Sequence, residues 1–122
     1  MSKKNILIVD DSESIRELVA LTLESSGYHV EKGVDGNDAL RFLDGRDIAL
    51  IITDLNMPNV DGIQLIRAIR SQQEYAMVPI LMLTTESQTQ KKEEAKAAGA
   101  TGWIVKPFVQ EKLIEVVKKV IR

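Results

Sequence analysis

The sequence predicts a doubly wound α/β fold, in which helices cover both faces of a five-stranded parallel sheet. Short β-branched runs alternate five times with segments of helical period, which is typical of right-handed βαβ units. The first, third and fourth runs are almost wholly apolar, as strands buried on both faces must be. The second run alternates apolar and charged residues, so it is predicted to be an edge strand.

The elements follow from hydrophobic period and from stop signals such as Gly27 after the first helix. The strands are predicted at Asn5–Val9, Tyr28–Val34, Ile48–Thr53, Val78–Leu83 and Thr101–Val105. The first helix is predicted to begin at Ile15 and to stop at Gly27, with one face formed by Ile15, Leu18, Val19, Thr22 and Leu23. The second is predicted over Asn37–Asp44, with Ala39, Leu40 and Leu43 pointing inward. The others are predicted over Gly62–Arg70, within the segment TQKKEEAKAAGA and over Val109–Ile121. The strand order 2-1-3-4-5 is the order of known doubly wound folds of the flavodoxin type, and the residues by themselves require only that the second strand lie at an edge.

Length and composition bound the class of protein. The 122 residues predict one domain, residues 1–122, with a single sizeable core. A net charge of −2 gives no field that would attract nucleic acid or acidic lipid. The absence of cysteine removes disulfides, thiolate metal sites and cysteine nucleophiles, and fits a cytoplasmic location. The apolar run near the start is too short for a signal peptide or a membrane span.

Polar residues follow four of the predicted strands. Asp10 and Asp11 end the first, Asp54 the third, Thr84 the fourth and Lys106 the fifth. In the assumed order the first and third strands are neighbours, about 5 Å apart, so the three carboxylates should meet at one edge of the sheet. One lysine compensates one of the three charges, and oxygen ligands without His or Cys favour Mg²⁺ over Zn²⁺. The sequence therefore predicts a magnesium site.

The same group of residues contains the parts needed to take up a phosphoryl group. Charge on the transferred oxygens requires cations and hydrogen-bond donors, which Mg²⁺, Lys106 and Thr84 would supply. Asp54 lies between the strand of the acid pair and the strand of the hydroxyl, so it is the predicted nucleophile. Its product would be an aspartyl phosphate.

The motifs VDD, ITDLNMPNVDG, LMLTTES and GATGWIVKPF, in this order, resemble the receiver domain of two-component response regulators, most closely the single-domain chemotaxis type. The resemblance covers the whole chain. It implies that Asp54 is the phosphoacceptor, that Asp11 binds the metal directly and Asp10 largely through water, and that the main-chain carbonyl of Asn56 is a third protein ligand. Lys106 would pair with the phosphoryl group, and Thr84 would hydrogen-bond to it.

The resemblance also implies a switch and its tuning. Thr84 would move toward the phosphoryl oxygens, and Trp103, where the family more often has Tyr or Phe, would turn inward behind it. Asn56 and Glu86 occupy the positions that tune autodephosphorylation, and their pairing implies a short-lived phosphoryl state. Thr85 replaces the usual Ala or Gly and would restrict access of the phosphodonor. The peptide between Lys106 and Pro107 would be cis.

The partners follow from the same family. A histidine kinase would donate the phosphoryl group, and a downstream protein would bind the face formed by helix 4, strand 5 and helix 5. Helix 5 has a wide apolar surface, with Ile114 and Ile121 on its flank. A cytoplasmic monomer that signals in chemotaxis is expected, as a self-phosphorylating and autodephosphorylating receiver rather than a turnover enzyme.

Three alternatives remain open on the residues alone. A phosphatase of the haloacid dehalogenase class would use Asp10 as nucleophile and needs a second acid at the position of Ser12. A flavodoxin-like cofactor-binding domain needs a hydroxyl- and glycine-rich phosphate loop after the first strand, where DDSES stands instead. A receiver excised from a larger regulator would have the same motifs.

Residues outside the predicted site receive structural interpretations. Ser12 or Ser14 is predicted to cap the first helix, and Asp61 the third. Asp35 and Gly36 are predicted to form a turn. His29, the single histidine, stands on the predicted edge strand without a second ligand and should lie at the surface.

Overall fold

The computed structural model describes residues 3–85 and 90–121. Strands and helices alternate along the chain, with a short 3₁₀ turn at Gln73–Tyr75. The strands are β1 (Asn5–Val9), β2 (His29–Gly33), β3 (Leu50–Asp54), β4 (Ile80–Thr85) and β5 (Gly102–Lys106). The helices are α1 (Glu13–Ser25), α2 (Gly36–Leu40), α3 (Gly62–Ser71), α4 (Lys92–Ala98) and α5 (Gln110–Val120).

The five strands form one parallel sheet in the order β2-β1-β3-β4-β5, which confirms the predicted order and the edge position of β2. Val9 lies opposite Thr53 across the β1–β3 pair, and Asp54 lies opposite Leu83 across the β3–β4 pair. The carboxyl ends of β1 and β3 are therefore level to within one residue, which places Asp10 beside Asp54, and β4 continues two residues beyond Leu83.

Apolar side chains form one layer on each face of the sheet. One layer lies between the sheet and the helices α2, α3 and α4, and it includes Ile51, Ile66 and Met82. The other lies between the sheet and the helices α1 and α5, and it includes Ile52 and Leu113. β3 is buried along its whole length because both of its faces contribute to these layers.

The helix starts are set by local capping. The Ser12 hydroxyl accepts a hydrogen bond from the Ile15 N–H, and Asp61 forms a capping box with Gln64 at the start of α3, so both predicted caps are confirmed. Asp35 caps α2, so Gly36 is the first residue of that helix rather than part of a turn. No helix in the described ranges is long and apolar enough to cross a membrane.

The sequence prediction was wrong in several details of element length and orientation. α2 ends at Leu40 rather than at Asp44, although Phe42 and Leu43 beyond it still enter the core. Leu18, predicted to point inward, is 36% exposed, and Ala20 is buried instead, because α1 is rotated relative to the predicted face. β3 and β4 each begin and end later than predicted. The remaining boundaries agree to within a few residues, and the Lys106–Pro107 peptide is cis.

Candidate functional site

Three carboxylates meet at the carboxyl ends of the strands. Asp10 follows β1, Asp11 comes next, and Asp54 is the last residue of β3. One oxygen atom from each of the three lies within 4.8 Å of the others. Asp10 is fully buried and Asp54 is nearly so, whereas Asp11 is exposed. The predicted convergence is confirmed. Two of the carboxylates, those of Asp10 and Asp54, are buried, and that of Asp11 faces solvent.

Lys106, the last residue of β5, reaches across the sheet edge to two of these carboxylates. Its Nζ donates to Asp10 Oδ2 at 3.1 Å and to Asp54 Oδ1 at 3.1 Å. The Leu55 N–H donates to the same Asp54 oxygen at 2.9 Å. The lysine side chain is 19% exposed, so its charge is only partly screened by water. The ammonium thus connects the acid pair to Asp54, as the sequence prediction required.

The turn between β1 and α1 is held by contacts that sequence reasoning missed. The Asp10 carbonyl accepts a 2.6 Å hydrogen bond from Arg16 Nη1, and Asp10 Oδ1 accepts one from the Ser12 N–H at 2.9 Å. The Asp10 N–H donates to the Gly33 carbonyl of the neighbouring strand at 3.2 Å. Arg16 stands one turn into α1, after the Ser12 cap, and that spacing was the only signal in the sequence. These bonds fix the orientation of Asp10.

Glycine is required where α3 begins against this site. A Cβ on Gly62 would lie 2.4 Å from the Asp54 carbonyl oxygen and 3.0 Å from the Leu55 Cα. The Gly62 N–H donates to the Leu55 carbonyl at 2.8 Å. This close approach sets the path of the chain directly after Asp54.

The electrostatics of the site are those of a crowded, partly buried acid cluster. Burial raises the pKa of the Asp54 carboxyl above its ordinary value, and the Asp10 carboxylate raises it further, against the opposing effect of Lys106. Burial lowers the pKa of the Lys106 ammonium, but the carboxylates of Asp54 and Asp10 outweigh burial, so the net shift is upward. The lysine therefore remains charged at neutral pH.

The donor set fits a hard divalent cation. Three carboxylates and one ammonium leave two negative charges uncompensated at this edge. All the side-chain ligands are oxygens, and the exposed Asp11 leaves room for waters, which Mg²⁺ retains in most protein sites. Asp10, Asp11 and Asp54 are the residues whose side chains could hold such an ion.

The other predicted site residues lie around this cluster. Thr84 is 3% exposed, and its hydroxyl has no hydrogen-bond partner within the described part of the chain. Trp103 is half-buried on β5, and Asn56 is exposed directly after the site. Thr85 is the last residue of β4, opposite Lys106. Glu86 lies outside the described residues. His29 is exposed, as predicted.

Comparison with known proteins identifies the family. The model of the response regulator receiver domain matches residues 6–118. The chain belongs to this family. This receiver is 39% identical to the chemotaxis protein CheY-3 of Vibrio cholerae over 94% of its own length and 89% of that protein. Its sequence is 46% identical to that of the chemotaxis response regulator CheY4 of Vibrio cholerae. The solved structure of that protein matches with a TM-score of 0.93 over 98% of this chain and 100% of the other.

A more distant relative has the same fold. The crystal structure of a response regulator receiver protein from Pseudomonas putida is 29% identical with a TM-score of 0.88, and the match covers 98% of each chain. The receiver family takes phosphoryl groups from histidine kinases in two-component signal transduction. The haloacid dehalogenase and flavodoxin-like cofactor alternatives are therefore wrong for this receiver.

Proposed function

We propose that this receiver accepts a phosphoryl group on Asp54 and uses it to switch the binding of a partner protein. The observation that supports Asp54 most directly is the position of Lys106 Nζ, 3.1 Å from both Asp10 and Asp54. The ammonium stands where it can bind an oxygen of a phosphoryl group on Asp54 while it remains paired with Asp10. Asp54 is also central among the strands, with its neighbours β1 and β4 carrying the acid pair and Thr84.

The transfer itself would be an in-line displacement. An Asp54 carboxylate oxygen forms the new P–O bond, and the P–N bond of the kinase phosphohistidine breaks, with its electron pair going to the imidazole. Asp11, Asp54 and the Asn56 carbonyl would hold Mg²⁺, with Asp10 acting largely through water, and the ion would supply positive charge to the phosphoryl oxygens. Lys106 would supply a further positive charge, and Thr84 would supply a hydroxyl.

Reversal of the state would use water. A water oxygen attacks phosphorus, the Asp54 carboxylate is regenerated and inorganic phosphate leaves. Asn56 is exposed two residues after Asp54, and its side chain would contact that water. Together with Glu86 we assign it to tuning of this step, so the phosphoryl state is expected to be short-lived. Thr85 is expected to narrow access for the phosphodonor. The protein would thus phosphorylate and dephosphorylate itself without turning over a second substrate.

The phosphoryl group would be read on the face formed by α4, β5 and α5. A groove on this face is lined by Lys112 and by apolar residues that include Trp103, Val105 and Phe108. Val109, which also lines it, is 64% exposed. Ile114 and Ile121 are half-buried on α5 and directly after it. An apolar strip of this kind suits a protein partner. Thr84 and Trp103 would connect it to Asp54.

The setting of this activity is proposed from the relatives. Both Vibrio cholerae relatives are chemotaxis proteins, so we assign this receiver to chemotaxis-type signalling in the cytoplasm, as a stand-alone monomer over residues 1–122 that does not bind nucleic acid or membranes.

The first experiment is phosphorylation by acetyl phosphate with Mg²⁺, followed by mass spectrometry of the intact protein. We expect one added phosphoryl group on the wild type and none on Asp54→Asn. Asp47→Asn, an exposed carboxylate at the opposite edge of the sheet, is the matched control and should be modified as the wild type is. Modification of Asp54→Asn at the wild-type rate would reject Asp54 as the acceptor. A wild type that shows neither modification nor any response of Trp103 fluorescence to beryllofluoride with Mg²⁺ would reject the proposed function.

A further inference from the structure

The two ends of α4 are held in different ways. At its end, the guanidinium of Arg70 donates to the Gly99 carbonyl through Nη2 at 2.8 Å and Nε at 3.2 Å. The same guanidinium donates to the carbonyls of Tyr75 at 3.0 Å and Ala76 at 3.1 Å. This end of the helix is therefore tied to α3 and to the turn after it.

At its start, α4 is connected to the sheet by a cation–π contact. Lys92 Nζ lies 4.1 Å from the centroid of the Trp103 ring, well within the range in which an ammonium is attracted to an indole. Lys92 is half-buried, whereas its neighbours Lys91 and Lys96 are exposed. Lys91 forms an exposed ion pair with Glu94 instead. Lys92 is thus the α4 lysine whose charge is directed at Trp103.

Trp103 stands on the same face of the sheet as Thr84. Trp103 lies opposite Met82 in the register of β4 and β5, and Thr84 is two residues further along β4. The ring packs against the apolar layer beneath α3 and α4 without being fully buried. A turn of the ring toward Thr84 requires a change of side-chain rotamer, which moves the indole by several ångströms. Such a turn would move the indole out of its present contact with Lys92 Nζ.

We propose that Lys92 is a positioning residue that holds Trp103 in its half-buried orientation and so opposes the inward turn that follows phosphorylation. The proposal rests on the proposed function, in which Trp103 is the switch residue. Because the contact joins Trp103 to the start of α4, it also couples the two: an inward turn releases the start of the helix. By linkage, a partner that draws Lys92 away from the ring favours the inward orientation of Trp103. The inward orientation in turn increases the affinity for that partner by the same factor.

The size of the effect follows from the strength of such contacts. Removal of a partly buried cation–π contact should change the ratio of inward to half-buried orientation by about 2- to 30-fold. The concentration of a phosphoryl mimic needed for half-maximal response should fall by the same factor. Lysine to arginine keeps the attraction, so Lys92→Arg should stay within about twofold of the wild type.

The experiment observes the indole N–H of Trp103, the only tryptophan in the chain, by NMR during titration with beryllofluoride in the presence of Mg²⁺. Before any beryllofluoride, the indole resonance of Lys92→Met should be displaced along the line that joins the free and saturated wild-type positions. Its half-saturation should then occur at lower beryllofluoride. Lys92→Arg should resemble the wild type. A merely structural role of the methylene stem would not separate the two variants, because methionine and arginine both keep an unbranched apolar stem.

Lys96→Met is the charge control, because it removes an exposed lysine from the same helix near the same ring. It should leave both the resonance and the half-saturation unchanged. The inference is overturned if Lys92→Met matches the wild type in both measurements while the wild type responds, or if Lys96→Met reproduces its effect. Failure of the proposed function looks different, because the wild-type indole would then not respond to beryllofluoride at all, and the inference would fall with it.

Discussion

Buried polar groups are paired at the amino ends of the strands and are crowded or unpaired at the carboxyl ends. We call these two ends of the sheet the amino edge and the carboxyl edge. At the amino ends of the strands, the Tyr75 hydroxyl donates to the Arg46 carbonyl at 2.7 Å and accepts from the Gly45 N–H at 3.0 Å. Arg70 donates to three carbonyls at the same edge. At the carboxyl ends, three carboxylates share one lysine, and the Thr84 hydroxyl is buried without a partner among the described residues.

The difference shows where the fold is optimised for stability and where it is not. Paired groups at the amino edge connect the turns and contribute to the free energy of unfolding. Crowded like charges at the carboxyl edge oppose folding unless a ligand compensates them. Substitutions at the amino edge should therefore reduce stability and spare the chemistry, whereas removal of an unpaired hydroxyl or a crowded carboxylate at the carboxyl edge should do the reverse.

The largest effect is expected from Gly62→Ala. This substitution disturbs the backbone at the carboxyl edge, so it should reduce both stability and phosphorylation. The added Cβ would lie 2.4 Å from the Asp54 carbonyl oxygen, a main-chain atom that cannot move alone. We expect a loss of about 3 kcal/mol in the free energy of unfolding and slower phosphorylation, measured by urea denaturation and mass spectrometry.

Gly45→Ala is the matched control at the amino edge. Gly45 has a φ of 96°, and its added Cβ would meet only the flexible Glu74 carboxylate at 3.4 Å. It should lose about 1 kcal/mol and keep the wild-type phosphorylation rate. Equal losses for the two glycines would mean that the close approach at Gly62 is not a constraint.

The next effect is expected from Arg70→Met, which tests the amino edge directly. The change removes all the hydrogen bonds from the guanidinium to Gly99, Tyr75 and Ala76 while keeping much of the apolar stem. We expect a loss of about 2 kcal/mol by urea denaturation, with acetyl phosphate still modifying Asp54. Loss of modification in folded protein would show that the two edges are not independent. Arg67→Met, an exposed arginine on the same helix, should be neutral.

A smaller effect of opposite sign is expected from Asp54→Asn. Burial and the Asp10 carboxylate raise the pKa of Asp54, so its negative charge opposes folding at neutral pH. The substitution removes that charge and leaves Lys106 paired with Asp10. At pH 7 it should increase the free energy of unfolding, while it abolishes phosphorylation. A destabilised Asp54→Asn protein would mean that the Lys106 pair outweighs burial.

The pH dependence of this difference gives an independent check. The native state holds its Asp54 proton to a higher pH than the unfolded chain does, so between the two pKa values the native state binds more protons. Stability of the wild type should therefore fall, relative to Asp54→Asn, as the pH rises from the ordinary pKa of 3.8 to the raised native pKa. Above that pKa the difference should stay constant. A difference independent of pH would contradict the raised pKa.

These contrasts also explain which features sequence reasoning could recover. The convergence of Asp10, Asp54 and Lys106 was predictable, because the carboxyl ends of parallel strands meet whatever the loops do. The contacts of Arg16 with Asp10 and of Lys92 with Trp103 were not, because they depend on the rotamers of long side chains and on where a helix settles. Periodicity predicted the existence of α1 and the burial of Val19, Thr22 and Leu23, but not the exposure of Leu18.

α2 was mispredicted for a related reason. The segment from Asn37 to Asp44 has the apolar spacing of a helix, and Ala39 and Leu43 are buried as predicted. The helix nevertheless ends at Leu40, and the chain continues in turns that carry Phe42 into the core before Gly45 adopts a positive φ. Tertiary packing of Phe42, with Arg41 and Arg46 over its ring, outweighs local helix propensity here.

The smallest expected effect is at Thr84, where a buried hydroxyl without a described partner can be compared with a partnered hydroxyl, that of Thr53, at the same edge of the sheet. Thr84→Val keeps the shape of the side chain and removes a buried hydroxyl without a described partner, so stability should rise by up to about 1 kcal/mol. Thr53→Val, at the buried threonine before Asp54, removes a hydroxyl that donates to the Asp54 carbonyl at 3.0 Å and should lose about 1 kcal/mol in the free energy of unfolding.

Thr84→Val should still be phosphorylated on Asp54, but the response of the Trp103 fluorescence to beryllofluoride should be lost, since the hydroxyl that would bind the phosphoryl oxygens is gone. If Thr84→Val were destabilised as much as Thr53→Val, the Thr84 hydroxyl would have a structural partner. The prediction that this hydroxyl is unpaired until it binds the phosphoryl group would then be wrong. If Thr84→Val were stabilised and the Trp103 response persisted, the hydroxyl would be unnecessary for the switch. Coupling between Asp54 and Trp103 would then have to run through Lys106, which lies on β5 with Trp103.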